Sequence, residues 1–114
     1  MIEPRLAAHM LVSSLIRRAN TQGDFATVLR RGDETAGNIL IVALEKGANP
    51  RLFERFPALD GPAIWSQIPS QTIDKYSNIS EYCARRSGSD PDLWILELDV
   101  AFQQRLDGLL ELDA

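Results

Sequence analysis

Two short apolar runs joined by a polar connector, all within residues 24–44, constrain this chain more than any other stretch. The first, Phe25-Ala26-Thr27-Val28-Leu29-Arg30-Arg31, is rich in β-formers and flanked by Gly23 and Gly32. The second, Ile39-Leu40-Ile41-Val42-Ala43-Leu44, is apolar without a break and closes at Lys46-Gly47. Apolar runs this short, bounded by turn residues, have the pattern of strands buried on both faces. The connector Gly32-Asp33-Glu34-Thr35-Ala36-Gly37-Asn38 is polar and carries glycines where positive φ comes most easily. This arrangement predicts an antiparallel hairpin on which the other elements pack, or whose sheet they extend.

Residues 6–22 have helical spacing, with Ala8, Leu11, Val12, Leu15, Ile16 and Ala19 on one stripe. Arg17-Arg18 suit the negative C-terminal end of such a helix, and Gly23 is a natural stop. Ala48-Asn49-Pro50 reads as a turn, 52–56 as a third strand stopping at Pro57, and Asp60-Gly61-Pro62 as a turn before a fourth strand over 63–68. A second helix is expected over 71–87. Ile73, Tyr76, Ile79, Tyr82 and Cys83 form its inner stripe, with Asp74 near its start, Arg85-Arg86 near its end and Gly88 as its cap. Residues 93–99 alternate as a strand with Trp94, Leu96 and Leu98 toward the core. The tail over 100–112 places Phe102, Leu106, Leu109 and Leu110 at helical spacing, with Asp99 as N-cap and Gly108 as a weak point.

The order is helix, three or four strands, helix, strand, helix. That is an α+β fold: a mostly antiparallel sheet of about four or five strands with helices packed on one face, in a single domain over 1–114. The other sheet face is then solvated or met by a second copy. Because 39–44 is apolar on both sides, the expectation is a homodimer through the sheet.

A length of 114 residues is enough for one domain with its own core. No run approaches the roughly 18 apolar residues of a membrane span, and the N-terminus lacks the charged and apolar regions of a secretory signal. One cysteine, Cys83, fits a reducing compartment, so the expected location is cytoplasmic. A net charge of −4 and a pI near 4.9 argue against general nucleic-acid binding. The cations are lopsided, ten arginines against Lys46 and Lys75, a bias that genome composition alone can produce.

Catalytic patterns are sparse. His9 and Cys83, the only histidine and cysteine, both fall on expected helices, and there is no Gly-x-Ser-x-Gly elbow. No metal site is expected: zinc lacks ligands, and Asp90, Asp92, Glu97 and Asp99 read as turn and strand-end residues before they read as ligands for a hard cation. The connector over 32–37 lacks the lysine of a phosphate loop and carries two carboxylates. No cofactor is expected. What remains is three arginine pairs, Arg17-Arg18, Arg30-Arg31 and Arg85-Arg86, each near the end of an element. If they gathered on one side of the sheet they would form an anion site, with Asp33, Asp90 and Asp92 as polar partners. Otherwise they are solvated ends paired locally with Asp33, Glu34, Asp90 and Asp92. Trp94 is assigned to the core and Trp65 to a surface contact with a partner.

Three blocks occur together: Arg5-Leu6 through Leu15-Ile16-Arg17-Arg18, then Gly23 through Asp33 with Ala36-Gly37, then Asp90-Pro91-Asp92-Leu93-Trp94-Ile95. In that order and spacing the chain resembles the domain-of-unknown-function 1491 family, small proteins mainly of alphaproteobacteria. Leu11 stands where relatives often carry tryptophan, and 48–68 carries no part of the resemblance. No activity is established for the family, so the resemblance implies a bacterial cytosolic protein and no chemistry. The expected function is a non-catalytic interaction module acting as a homodimer. The alternative is an enzyme or sensor that holds a phosphorylated metabolite, a nucleotide or an acidic segment through the arginines, with Asp33, Glu34, Asp90 or Asp92 as acid or base.

Overall fold

The structure, a computed structural model, describes residues 7–56, 64–73 and 78–110. The expected stop at Pro57, the turn at Asp60-Gly61-Pro62, and Asp74 and Tyr76 of the second helix lie outside them. The stripe Ala8, Val12, Leu15 and Ala19 winds as expected into α1 (Ala8–Thr21), with all four residues buried. Five strands follow the apolar runs: β1 (Phe25–Arg30), β2 (Ile39–Glu45), β3 (Ala48–Phe56), β4 (Ile64–Gln67) and β5 (Trp94–Val100). The remaining helices are α2 (Ser70–Ile73), α3 (Ile79–Ser89) and α4 (Gln103–Leu110). The class is α+β, as expected, and the sheet is mostly antiparallel.

The strand order is β1-β5-β2-β3-β4, so β1 and β2 do not form the expected hairpin. β5 lies between them, antiparallel to β1 (Thr27 opposite Glu97) and parallel to β2 (Ile41 beside Leu96). Burial explains the insertion. Leu93, Trp94, Ile95, Leu96 and Leu98 are apolar on both faces and fully buried, which only a central position can achieve. β1 goes to the edge, where Phe25, Val28 and Leu29 stay exposed. The true hairpin joins β2 to β3 at Lys46 and Gly47, with positive φ at Lys46, Gly47 and Asn49. Ala48-Asn49-Pro50 is therefore the start of β3, one residue after the turn, and not the turn itself.

Helices cover both faces of the sheet, a correction to the one-sided arrangement expected. On one face, α1 and α4 pack over Ile39, Ile41, Ala43, Phe53, Trp94, Leu96 and Leu98. On the other, Tyr82 with Ile79 and Cys83 of α3 packs over Leu40, Val42, Leu52 and Ile95. The alternation of β2 and β5 supplies both cores at once. A sheet that is apolar on both sides needs cover on both sides.

The caps also differ from expectation. Asn78 caps α3 by accepting from the Glu81 amide at 2.8 Å, and Gly88 lies inside the helix, which ends at Asp90. Asp99 does not cap α4. It accepts from the Gly47 amide, while Glu45 Oε2 accepts from the Gln103 amide at 2.9 Å. One bend of the β2–β3 hairpin is thus tied to the β5–α4 junction. Within α4, Arg105 Nη1 reaches the buried Asp24 Oδ1 at 2.9 Å, and Asp24 Oδ1 also accepts from the Ala101 amide. Across the second face, Arg86 of α3 forks onto both oxygens of the buried Glu54 carboxylate of β3, with the Nη2–Oε2 bond at 2.9 Å, which pins α3 to β3.

Candidate functional site

The two most distinctive sequence blocks, Arg30-Arg31-Gly32-Asp33 with Ala36-Gly37 and Asp90-Pro91-Asp92-Leu93-Trp94, fold onto each other. The Asp33 amide donates to the Asp92 carbonyl at 3.0 Å, and the Trp94 amide donates to Asn38 O at 2.8 Å. Trp94 Nε1 donates to Asp33 O at 2.7 Å, so the buried indole finds its one partner in the connector. Arg30 Nη1 donates to Pro91 O at 3.0 Å and Leu93 O at 2.7 Å. Arg31 pairs with Glu34 at 3.0 Å and lies 5.4 Å above the Trp94 ring. Asp33 folds its own loop by accepting from the Thr35 and Ala36 amides at 3.1 and 2.8 Å, and these bonds hold its carboxyl below the usual carboxylate range. The connector then receives the start of α1: Thr35 O and Glu34 O accept from the Ala8 and His9 amides, and His9 Nδ1 sits 3.0 Å from Glu34 O.

Gly32 and Gly37 explain why this clasp needs glycine. Neither has a positive φ. A Cβ on Gly32 would sit 2.2 Å from Asp92 O, and one on Gly37 would sit 2.3 Å from the same oxygen. The connector passes too close to the 90–94 turn for any side chain.

The arginine pairs do not share one place. Arg17 and Arg18 end α1 on one side of the sheet, and Arg18 Nη2 donates to Gly108 O of α4 at 3.1 Å. Arg85 and Arg86 ride on α3, on the opposite side, with Arg86 committed to Glu54 and to Tyr82 Oη. The structure brings Arg30, Arg31, Asp33, Asp90 and Asp92 together in the clasp, where Asp90 Oδ1 accepts from the Asp92 amide and shapes the turn. Trp65 is half-buried against the α1–α4 core. His9 and Cys83 lie on helices that cover opposite faces, and burial pushes the Cys83 thiol up, against the opposing pull of Arg86. Among the described residues, no three His, Cys, Asp or Glu side chains gather to hold a metal ion, and no helix is long and apolar enough to cross a membrane.

Beside the clasp, on the α3 face, lies an open groove of about 1040 Å³. α3 presents Ile79, Ser80, Cys83, Ala84 and Ser87 as one wall. Val42, Leu44 and Ile95 form the floor, and Leu29 and Arg30 of β1 form the far rim. Glu97 stands in that floor beside Val42, its neighbour on β2. The sequence hid this site because its residues come from six elements and share no motif. The one available signal was Leu29 beside Arg30, an apolar residue at the end of a strand destined for an edge.

The model of the family described as "Protein of unknown function (DUF1491)" matches residues 6–107. No curated protein matches the chain. Among solved structures, a crystal structure of a DUF1491 family protein from Caulobacter crescentus CB15 is similar, with 34% identity, 84% of this chain and 89% of that chain covered, and a TM-score of 0.69. An NMR structure of a DUF1491 family protein from the same organism gives 32% identity, 86% and 88% coverage, and a TM-score of 0.66. Protein Atu0922 from A. tumefaciens, at 25% identity, is similar over 97% of this chain and 98% of its own, with a TM-score of 0.74. The blocks that build the clasp fall within the matched span, and this chain belongs to the DUF1491 family of proteins of unknown function.

Proposed function

We propose that this chain is a non-catalytic interaction module that works as a homodimer paired through the β1 edge. The observation that supports this reading is the composition of that edge. Phe25, Leu29 and Val28 are 72%, 52% and 40% exposed on a strand with no lysine and no proline. Edge strands of monomeric proteins are commonly blunted by such residues. The bulge between Val28 and Arg30 leaves Phe25 to Val28 in regular register, ready to accept another strand.

The anion-site alternative draws less support from the geometry. Arg18, Arg30, Arg31 and Arg86 already donate to protein acceptors. A ligand phosphate would have to replace those bonds. The test is light scattering on the size-excluded protein across micromolar to submillimolar concentrations. The parent is expected to run as a dimer, and Val28→Lys, which places a charge on the β1 edge, as a folded monomer. A parent that stays monomeric throughout, or a Val28→Lys dimer of unchanged affinity, refutes pairing through β1.

A further inference from the structure

We infer that the groove between α3 and β1 receives one amphipathic helix of a partner protein, which carries an acidic residue toward Arg30 and a basic residue toward Glu97. This deepens the reading of the chain as an interaction module but does not depend on its self-association. The starting point is the unequal cover of the two sheet faces. Five strands at about 4.8 Å spacing make a sheet roughly 19 Å across. A helix with side chains is about 10 Å wide, so covering such a face takes two. α1 and α4 do this on one side. On the other side α3 is pinned over β3 by the Arg86–Glu54 fork and α2 adds Ile73, and among the described residues no helix covers the half of the face over β5 and β1.

The groove, which continues along Ser70, Ile73 and Asn78, has room for a short helix. A cylinder about 10 Å across and 13 Å long, between two and three turns, occupies roughly 1000 Å³. The groove measures about 1040 Å³. Its floor of Val42, Leu44 and Ile95 suits aliphatic anchors, and Ala84 and Ser87 on α3 leave room for a second helix alongside.

Charge then fixes what the helix must carry. The Arg30 guanidinium is held at one end by the Leu93 and Pro91 carbonyls, both through Nη1, so it is positioned in advance without an acidic partner among the described residues. Glu97 lies four residues further along β5 than Leu93, about 13 Å of strand. No ion pair joins Arg30 and Glu97. An occupant that satisfies both needs opposite charges about two helical turns apart, separated by apolar residues on the same face.

The experiment is selection from a displayed library of helix-forming peptides about eighteen residues long, using the Val28→Lys protein so that self-pairing plays no part. The enriched sequences are expected to place an acid and a base seven or eight positions apart on one side of an apolar stripe. The best of them, as a synthetic peptide, should shift amide signals of 79–87 and 95–97. Glu97→Lys should weaken its binding about tenfold, and exchanging the peptide's basic residue for glutamate should restore binding to that variant. Loss of binding in Leu29→Glu, with the circular dichroism and melting temperature of the parent, places the peptide in the groove. No enrichment, binding that is indifferent to both substitutions, or shifts outside the groove overturn the inference. So does saturation of the groove by a simple long-chain carboxylate that the selected peptides cannot displace. If the parent proves monomeric while the peptide binds as described, the dimer reading fails and this one stands.

Discussion

Gly32→Ala puts the clasp to its most direct test. The added Cβ would lie 2.2 Å from Asp92 O, and 2.7 Å from both Leu93 C and Trp94 Cδ1. Two of these three atoms are backbone, so no side-chain rotation relieves the overlap. Ordinary contact needs about 3.4 Å, so the connector must move away from the 90–94 turn by roughly 1 Å. That movement stretches the Asp33 N–Asp92 O and Trp94 Nε1–Asp33 O bonds, now 3.0 and 2.7 Å. Each hydrogen bond contributes about 1 kcal/mol net, and overpacking costs about 1–3 kcal/mol. With part of the strain shared between these effects, the expected loss is about 2–4 kcal/mol. A chain of this length has an unfolding entropy near 0.24 kcal/mol/K, so the melting temperature should fall by roughly 8–16 °C. Gly88 and Gly108 provide the contrast. Both lie in helices where a methyl group would meet nothing within 4 Å, and alanine there should add about 0.5–1 kcal/mol each. Urea unfolding followed by tryptophan fluorescence and circular dichroism measures all three variants. A Gly32→Ala protein within about 0.5 kcal/mol of the parent refutes the close-approach argument.

Three further outcomes follow from the packing. Glu54→Gln should cost about 1–3 kcal/mol, less than a fully buried pair because Arg86 is 26% exposed, and denaturant titration would read it; a neutral result means the fork does not anchor α3. Asp33 has a lowered pKa in the fold, so its ionic contribution is complete above the unfolded value near 3.9 and is lost as pH falls through the folded one. The stability gap between the parent and Asp33→Asn should therefore be open at neutral pH and close as the pH falls below the unfolded value and through the folded one, and a gap that widens on acidification contradicts the assignment. Burial raises the Cys83 pKa, so its reaction with a disulfide reagent at mildly alkaline pH should be slower than that of free cysteine. Denaturation should remove the difference, and fast labelling of the folded protein would show the thiol to be accessible and ionised.

The sequence carried face information well and neighbour information poorly. Period-two alternation correctly marked Trp94, Leu96 and Leu98 as one core face, and the unbroken run over 39–44 correctly implied burial on both sides. Alternation says which way a side chain points, not which strand lies beside it. β5 enters between β1 and β2 from far downstream, where it forms a parallel ladder that no local turn signal announces. The glycines of the connector misled for a related reason. Gly32 and Gly37 look like turn residues, yet their constraint is an approach to the Asp92 carbonyl, which is remote in sequence. The arginine pairs were visible as composition, but their acceptors, Gly108 O, Leu93 O and Glu54, come from other elements. The groove was the least legible part, since α2, α3, β5, β2, β3 and β1 all line it and none but α3 contributes more than two residues.

A motif that is easy to recognise need not mark the functional surface. Arg30, Asp33, Asp92 and Trp94 belong to the blocks by which the family can be recognised, and all of them are engaged in closing the connector over β5. Such a role fixes residue type tightly, because an indole N–H, a loop carboxylate and a side-chain-free backbone approach have few substitutes. A docking surface is specified more loosely, by apolar area and the sign of a few charges, and so leaves no compact signature. Arg30 is where the two requirements meet. The same Nη1 bonds that close the clasp also hold its charge at the rim of the groove, so the fold supplies the binding surface with a positioned cation. Replacing Arg30 would therefore confound stability with recognition. Glu97, which lines the groove and takes no part in the clasp, is the residue at which recognition can be changed alone.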